Sequence, residues 1–225
     1  MANRTVDRSP SSVDVRSVLS RANCRAVWAR CRGAALALGA CSMLAGIAGA
    51  QTQTYMVNVQ RSPTGTEQVV HVPGYTGTAP LTSVTVTLHV CTVRQYGVEN
   101  LHPTLSTLGG EFFADESIFA VSRSPGATDI LAMTTASFPD TVIFPGHPFD
   151  GAIDFAGTSG MKAPTIQRIV TAVQVSNTPE SAFHGDSIPL YVDSQSPSPF
   201  QTLGGANVAA LHISLYSAMI TVQYN

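Results

Sequence analysis

Gly185-Asp186-Ser187, followed by Asp193 and then His212, is the one stretch where a nucleophile, an acid and a base occur in an order that serine hydrolysis can use. In that chemistry the Ser187 hydroxyl attacks a carbonyl, His212 takes its proton and Asp193 orients the imidazole. The context argues against it. One group of such enzymes follows the serine with further glycine to shape an oxyanion hole, whereas here Ile188-Pro189 follow; another places the motif near the mature N-terminus. Asp186 and Ser187 read better as turn residues leading into an apolar strand at Ile188–Val192. A serine hydrolase is the remote alternative and the chain is expected not to be an enzyme, with no catalytic residue assigned.

Metal chemistry has equally loose support. The six histidines, His71, His89, His102, His147, His184 and His212, include no pair at the His-x-His or His-x3-His spacing that puts two imidazoles on one strand or helix face. Calcium fits loop carboxylates better, and two groups offer them: Glu111, Asp115 and Glu116, or Asp150 and Asp154. Neither carries the Asp-x-Asp-x-Asp-Gly loop that would make the assignment specific, so solvated acidic loops are the plainer reading. No other cofactor is expected, because no phosphate-binding glycine loop, dinucleotide fingerprint or CxxC pair occurs beyond residue 50.

Charge narrows the partners. Of 225 residues only 12% are charged, and 44% are apolar, which excludes a charged disordered tail and suffices for an ordinary core. Residues 1–50 carry seven arginines against Asp7 and Asp14; residues 51–225 carry five basic and twelve acidic side chains, a formal −7. An acidic body without a basic stripe repels phosphate backbones, so no nucleic-acid partner is expected.

The arginine-rich start has its own explanation. Arg25, Arg30 and Arg32 precede the apolar run Gly33–Ala48, which has signal-peptide length and is shorter than a bilayer-spanning helix. Ala48-Gly49-Ala50 supplies the small residues that signal peptidase needs, placing the cut between Ala50 and Gln51. The expected organisation is a polar, disordered extension at 1–22, a helical signal peptide at 23–50 and a single domain at 51–225, exported to the periplasm, cell surface or medium with no membrane span after cleavage. Leu38-Gly39-Ala40-Cys41 offers a lipobox as the competing reading, although the residues after Cys41 stay apolar. Cleavage at Ala50 leaves Cys91 as the sole mature cysteine, so no internal disulfide forms, and its apolar setting predicts a buried, inert thiol.

The mature region alternates like β-structure. From Thr82 to Val93, Val84, Val86, Leu88 and Val90 fall on one parity, with Thr85, Thr87 and His89 on the other. Comparable runs occur at Tyr55–Gln60, Glu67–Val72, Ser117–Val121, Ile166–Val175, Ile188–Val192 and Val208–Tyr224, separated by Pro/Gly/Ser turns such as Ser62–Gly65 and Phe144–Pro148. The spacing predicts an all-β chain: an antiparallel β-sandwich, jelly-roll or immunoglobulin-like in general architecture. Little helix is expected, because Gly109-Gly110 interrupt the Leu105–Phe119 candidate. In the last run, Leu211, Ile213 and Leu215 take one parity and Ala218, Ile220, Val222 and Tyr224 the other, which predicts a bulge near Tyr216-Ser217.

Taken together, Val72-Pro-Gly-Tyr75, Pro80–Leu88, Val98-Glu-Asn100, Asp154–Gly160, Phe183-His-Gly185 and Ile220–Tyr224 resemble the choice-of-anchor E domain in order and spacing over nearly all of the mature chain. The resemblance implies an exported bacterial protein of unknown activity, with no catalytic residues to carry over. Nothing after Asn225 reads as a sorting helix, so C-terminal anchoring is not expected. The expected function is a secreted, non-enzymatic cell-envelope or extracellular-matrix module, with envelope proteins or extracellular polysaccharide as partners. A carbohydrate- or calcium-binding domain is the alternative. Sugar binding requires several of Tyr75, Tyr96, Phe112, Phe113, Phe149 and Tyr191 exposed on one face; the only tryptophan, Trp28, lies in the signal segment.

Overall fold

A computed structural model describes residues 52–104, 109–144, 146–176, 180–197, 200–203 and 207–225. The expected signal helix, the cleavage pair Ala50 and Gln51 and the lipobox at Cys41 lie outside the described residues. Within them the chain is all-β, with two short 3-10 turns at Pro125–Ala127 and Glu180–Phe183 and no α-helix.

Twelve strands follow in chain order: β1 (Gln53–Pro63), β2 (Gln68–Val72), β3 (Val84–Asn100), β4 (Gly109–Phe112), β5 (Asp115–Ser122), β6 (Ile130–Phe138), β7 (Thr141–Ile143), β8 (Gly160–Lys162), β9 (Ile166–Ser176), β10 (Ile188–Gln195), β11 (Phe200–Leu203) and β12 (Val208–Tyr224). The first sheet runs β1-β12-β3, with β9 and β8 pairing successive stretches of the far edge of β3; the second runs β2-β10-β5-β6. Every pairing within them is antiparallel. The chain crosses between sheets at most connections, and only β5 to β6 and β8 to β9 stay within one sheet. The strand orders β1-β12-β3-β9 and β2-β10-β5-β6, threaded in that way, are those of a jelly roll, which decides between the two sandwich types that the strand spacing allowed. The first and last strands are hydrogen-bonded neighbours.

Alternation explains the core. Val84, Val86, Leu88 and Val90 of β3 and Ala218, Ile220, Val222 and Tyr224 of β12 face Phe119 and Val121 of β5, Leu131 and Ala136 of β6, and Leu190 and Val192 of β10. Each fully buried aliphatic side chain contributes about 1.5–3 kcal/mol of transfer free energy. Two tyrosines of β12 add polar ties: the Tyr224 hydroxyl donates to the Pro73 carbonyl at 2.9 Å and the Tyr216 hydroxyl to the Thr66 carbonyl at 3.2 Å.

The irregularity expected near Tyr216-Ser217 is present, but the extra residue belongs to the neighbouring strand. β12 pairs β3 without a break from Val208↔Asn100 to Tyr224↔Val84. Against β1, Val59 faces Ala218 and Ser62 faces Tyr216, so Gln60 and Arg61 stand opposite Ser217 alone. That is a bulge in β1. The parity change along β12 has another cause: at its N-terminal end the inward positions pass to the polar residues Ser214 and His212.

β4, β7 and β11 form a third, three-stranded sheet. It encloses a second core of Tyr96, Val98, Phe112, Ile143 and Ala163. The Gly109-Gly110 pair that reads as a breaker is what lets these strands approach. A Cβ on Gly109 would run into the Ile143 carbonyl oxygen, and one on Gly110 into the Phe200 ring. We expect Gly109→Ala to cost about 1–3 kcal/mol through this overpacking. Thermal unfolding would register it as a fall in Tm, whereas Gly65→Ala, with nothing near the added Cβ, meets only the penalty of its positive φ.

Candidate functional site

Where the first core gives way to the second, β3 carries a full charge inside the protein. Arg94 is 0% exposed. By parity it faces inward between Thr92 and Tyr96, and its guanidinium is matched from the opposite sheet: Nη1 donates to Asp115 Oδ1, Nη2 donates to Ser117 Oγ at 2.6 Å and to Ser196 Oγ at 2.5 Å, and the group lies 3.9 Å from the Phe138 ring centre. Nη1 also donates to the Tyr96 hydroxyl at 3.2 Å. Directly across from Tyr96 on β12 stands His212, its ring stacked on Tyr96 at 5.3 Å and tilted against Phe112 at 6.1 Å. Burial raises the Tyr96 phenol, with Arg94 opposing the shift. Burial pushes the His212 imidazole below its usual range, and Arg94 pushes the same way against the weaker pull of Asp115.

This layer relocates two of the proposed catalytic or ligating residues. His212 is an aromatic-stacked interior residue of the first sheet, whereas Asp193 lies on β10 of the second and Ser187 immediately before that strand. The Ser187 hydroxyl stands 3.1 Å from His71 Nδ1 on the exposed side of β2 and β10, and Asp193 Oδ2 accepts from Gln195 Nε2 at 3.3 Å. The paper triad is not assembled. The Ser187–His71 contact carried no signal in the sequence, because the strand pairing of Pro189 with His71 is what brings the two together. Asp115, one of the calcium candidates, is committed to Arg94. Its companions are dispersed: Glu111 accepts from Gln201 Nε2 at 2.9 Å and Glu116 from Ser137 Oγ at 3.2 Å.

The second acidic group is a loop clasp. Asp150 Oδ1 accepts from the Ala152 backbone N–H at 3.1 Å and Oδ2 from that of Thr158 at 3.3 Å, while Asp154 Oδ1 accepts from that of Ala156 at 2.8 Å. The Ala152 N–H leads the contacts that hold the Asp150 carboxyl below its usual range. Beneath them Glu99, 0% exposed, accepts from the Phe155 N–H at 2.7 Å and from Ser159 Oγ at 2.5 Å. These carboxylates hold backbone donors where a cation would otherwise have to neutralise them. Among the described residues no three His, Cys, Asp or Glu side chains are grouped so as to hold a metal ion. Cys91 is buried, with Gln167 Nε2 at 3.4 Å from its sulfur.

The aromatic residues that a sugar platform would use are divided as well. Tyr75, Tyr96 and Phe112 are buried in the two cores, Phe113 is exposed beyond β4, and Tyr191 and Phe149 are half-buried on different elements.

No protein-family model and no curated protein matches this chain. Among solved structures it is similar to infectious bursal disease virus, Gx strain, at 11% identity and a TM-score of 0.26, covering 77% of this chain and 32% of that one. It is also similar to the VP2 subviral particle of the same virus, at 11% identity and a TM-score of 0.22, covering 78% and 37%. The chain thus spans about a third of the length of the structures it matches, and the strand order above stands without them.

Two expectations follow from the charged layer. Asp115→Ala strands the Arg94 charge in the interior and should cost about 3–5 kcal/mol in chemical denaturation, whereas Arg94→Met with Asp115→Leu should cost much less. A histidine held below its ordinary value of 6.5 keeps its neutral form in the folded protein, so the unfolded chain binds more protons as the pH drops. Stability should therefore be full above 6.5 and decline as the pH falls towards the lowered folded value. His212→Phe should flatten that decline in denaturation curves collected across the range.

Proposed function

We propose that this chain is an exported, non-enzymatic jelly-roll module of a bacterial cell surface or extracellular matrix, of the choice-of-anchor E kind, released by cleavage between Ala50 and Gln51. The observation that carries this reading is how the chemically capable side chains are used. Arg94, Asp115 and His212 are spent on packing the interior, Glu99, Asp150 and Asp154 on fixing a loop, and Asp193 on β10, with Ser187 just before that strand, stands on the other side of the sandwich from His212 on β12. A rigid scaffold that carries long fixed loops is suited to display and binding. Among the described residues no helix is long and apolar enough to cross a membrane. Calcium binding is the weaker alternative, because the carboxylates of both candidate groups already accept protein hydrogen bonds. Carbohydrate binding is weaker still, because most of the aromatics lie inside or apart.

Expression of the full chain in a bacterial host, fractionation and intact-mass analysis test the export half of this reading. The expected product is outside the cytoplasm and begins at Gln51, whose amide can cyclise onto the new α-amino group. A full-length cytoplasmic protein, or one beginning at a lipidated Cys41, overturns it. Ester hydrolysis by the purified product that disappears in Ser187→Ala would overturn the non-enzymatic half.

A further inference from the structure

Arg94 meets every connection that leads from the second sheet into the small one. β5 begins at Asp115, just after the Phe113-Ala114 link from β4; β6 ends at Phe138, just before the Pro139-Asp140 link to β7; and Ser196, the first residue after β10, starts the connection to β11. Asp115 and Ser196 accept from the guanidinium, and the Phe138 ring lies under it. Two of the links are also tied to each other, because Asp140 Oδ1 accepts from the Ala114 backbone N–H. The three connections converge on one cation and form a common hinge line for β4, β7 and β11.

Beyond that line the small sheet is lightly held. None of its strands pairs with a strand of either larger sheet. Phe112 and Ile143 are its large buried side chains, with Phe200 half-buried beside them, and they rest on Tyr96 and Val98 of β3. Phe112 stacks on Tyr96 at 4.3 Å and leans on Phe200 at 4.9 Å. Strands of four, three and four residues do not make a sheet that survives in water without such packing, so release from β3 also means loss of its own ladder.

His212 is part of that packing, through its contacts with Tyr96 and Phe112. Among the described residues, the charged and titratable groups that bear on it are Arg94 and Tyr96 from β3 and Asp115 from β5. β4 presents the apolar ring of Phe112, since Glu111 on that strand turns to Gln201. A proton on the half-buried imidazole therefore leaves two cations beside one carboxylate, and Arg94 cannot shed its charge. Lifting Phe112 away gives the imidazolium water and relieves the conflict. We propose that β4, β7 and β11 form an acid-released flap: protonation of His212 detaches them from β3 and β12 about the Arg94 hinge, while the two-sheet sandwich stays folded. Opening of one lightly packed unit below the free energy of global unfolding is the physical form of such a device.

Amide hydrogen exchange of the naturally processed chain, read by mass spectrometry from about pH 8 to pH 5 with each rate divided by that of the unstructured peptide, tests it. Protection in β4, β7 and β11 is expected to lie at least about tenfold below that of β5 and β10 at every pH. Linkage to one proton makes it fall towards about tenfold for each pH unit below 6.5, until the lowered folded value of His212 is reached. Strands that exchange only by global unfolding share that slope but keep their higher protection. His212→Phe, which retains an aromatic ring without a titrating group, should remove the slope, and His71→Gln on exposed β2 should leave it as in the wild type. Equal protection of the small sheet and the second sheet, protection of the small sheet that is constant with pH, or the same slope in His212→Phe would overturn the proposal; the first two need no variant.

Discussion

Arg94 is the constraint around which the rest of the domain is arranged. A guanidinium cannot shed its charge, so placing it at 0% exposure obliges the surroundings to supply compensation. Asp115 supplies the opposite charge from β5, Ser117 and Ser196 accept two further N–H bonds, and the Phe138 face lies under the cation. Because these partners come from β5, β6 and the chain beyond β10, the guanidinium fixes the second sheet against the first at one depth. Apolar packing alone does not fix this, since a wall of valines and leucines tolerates sliding. A registry role for the pair follows from that geometry.

The same residue explains why the domain has two cores. β3 and β12 run together for seventeen residues, far longer than an ordinary strand. Below Arg94 the inward positions are aliphatic and meet the second sheet. Above it they are Tyr96 and Val98, which meet Phe112, Ile143 and Phe200 of the small sheet. The charged layer separates these two apolar volumes, and His212 sits on its upper side, where a proton would add a second cation beside the first.

Much of the sandwich was legible in the sequence because seven of its strands bury one face and wet the other, or sit in short apolar runs. What was not legible shares a physical cause: the residue's environment is set by partners distant in the chain. The alternation at Thr82–Val93 stops at Arg94-Gln95 as a pattern, yet the strand continues to Asn100, because Asp115 and a loop around Ser159 satisfy its polar side chains. β6 hides for a different reason. Val121 pairs Ala132 and Ser122 pairs Ile130, so Leu131 is an extra residue, and Leu131 and Ala132 are both buried in defiance of a two-residue period. Gly109-Gly110 reads as a break, although the missing Cβ atoms are what admit Ile143 and Phe200. As for the site, the carboxylates and histidines were visible as residue types, but whether each is available or already occupied is decided by hydrogen bonds that span twenty or more residues, such as those of Asp115 and Glu99.

That occupancy orders the surfaces of the molecule. The last third of β3 acts as a rail for loops: Arg94 holds the chain at Ser196, Glu99 holds Phe155 and Ser159, and Asn100 donates to the His147 carbonyl at 2.8 Å while accepting from the His102 N–H at 2.9 Å. Each of these contacts removes a polar group from the inventory available to a ligand and gives rigidity in exchange. On the first half of β3 the outward residues make fewer such ties: Thr85 Oγ1 accepts from Asn225 Nδ2 at 3.3 Å and His89 Nδ1 lies 2.8 Å from Thr171 Oγ1. Their neighbours on β1, β9 and β12 are uncharged, and the apolar ones at the sheet edges stay in water. A large exposed β-branched surface next to a strand edge is an aggregation hazard that folded proteins ordinarily blunt with lysine, proline or a bulge. Here Arg168 stands at one end of β9, its Nε donating to the Ser137 carbonyl across to β6, and the bulge at Gln60-Arg61 bends β1 at the other edge. The two edges are thus guarded, and between them the face is half-buried threonine and glutamine with Met219 at 9% exposure, so the strongly exposed apolar side chains stand only beside the guarded edges.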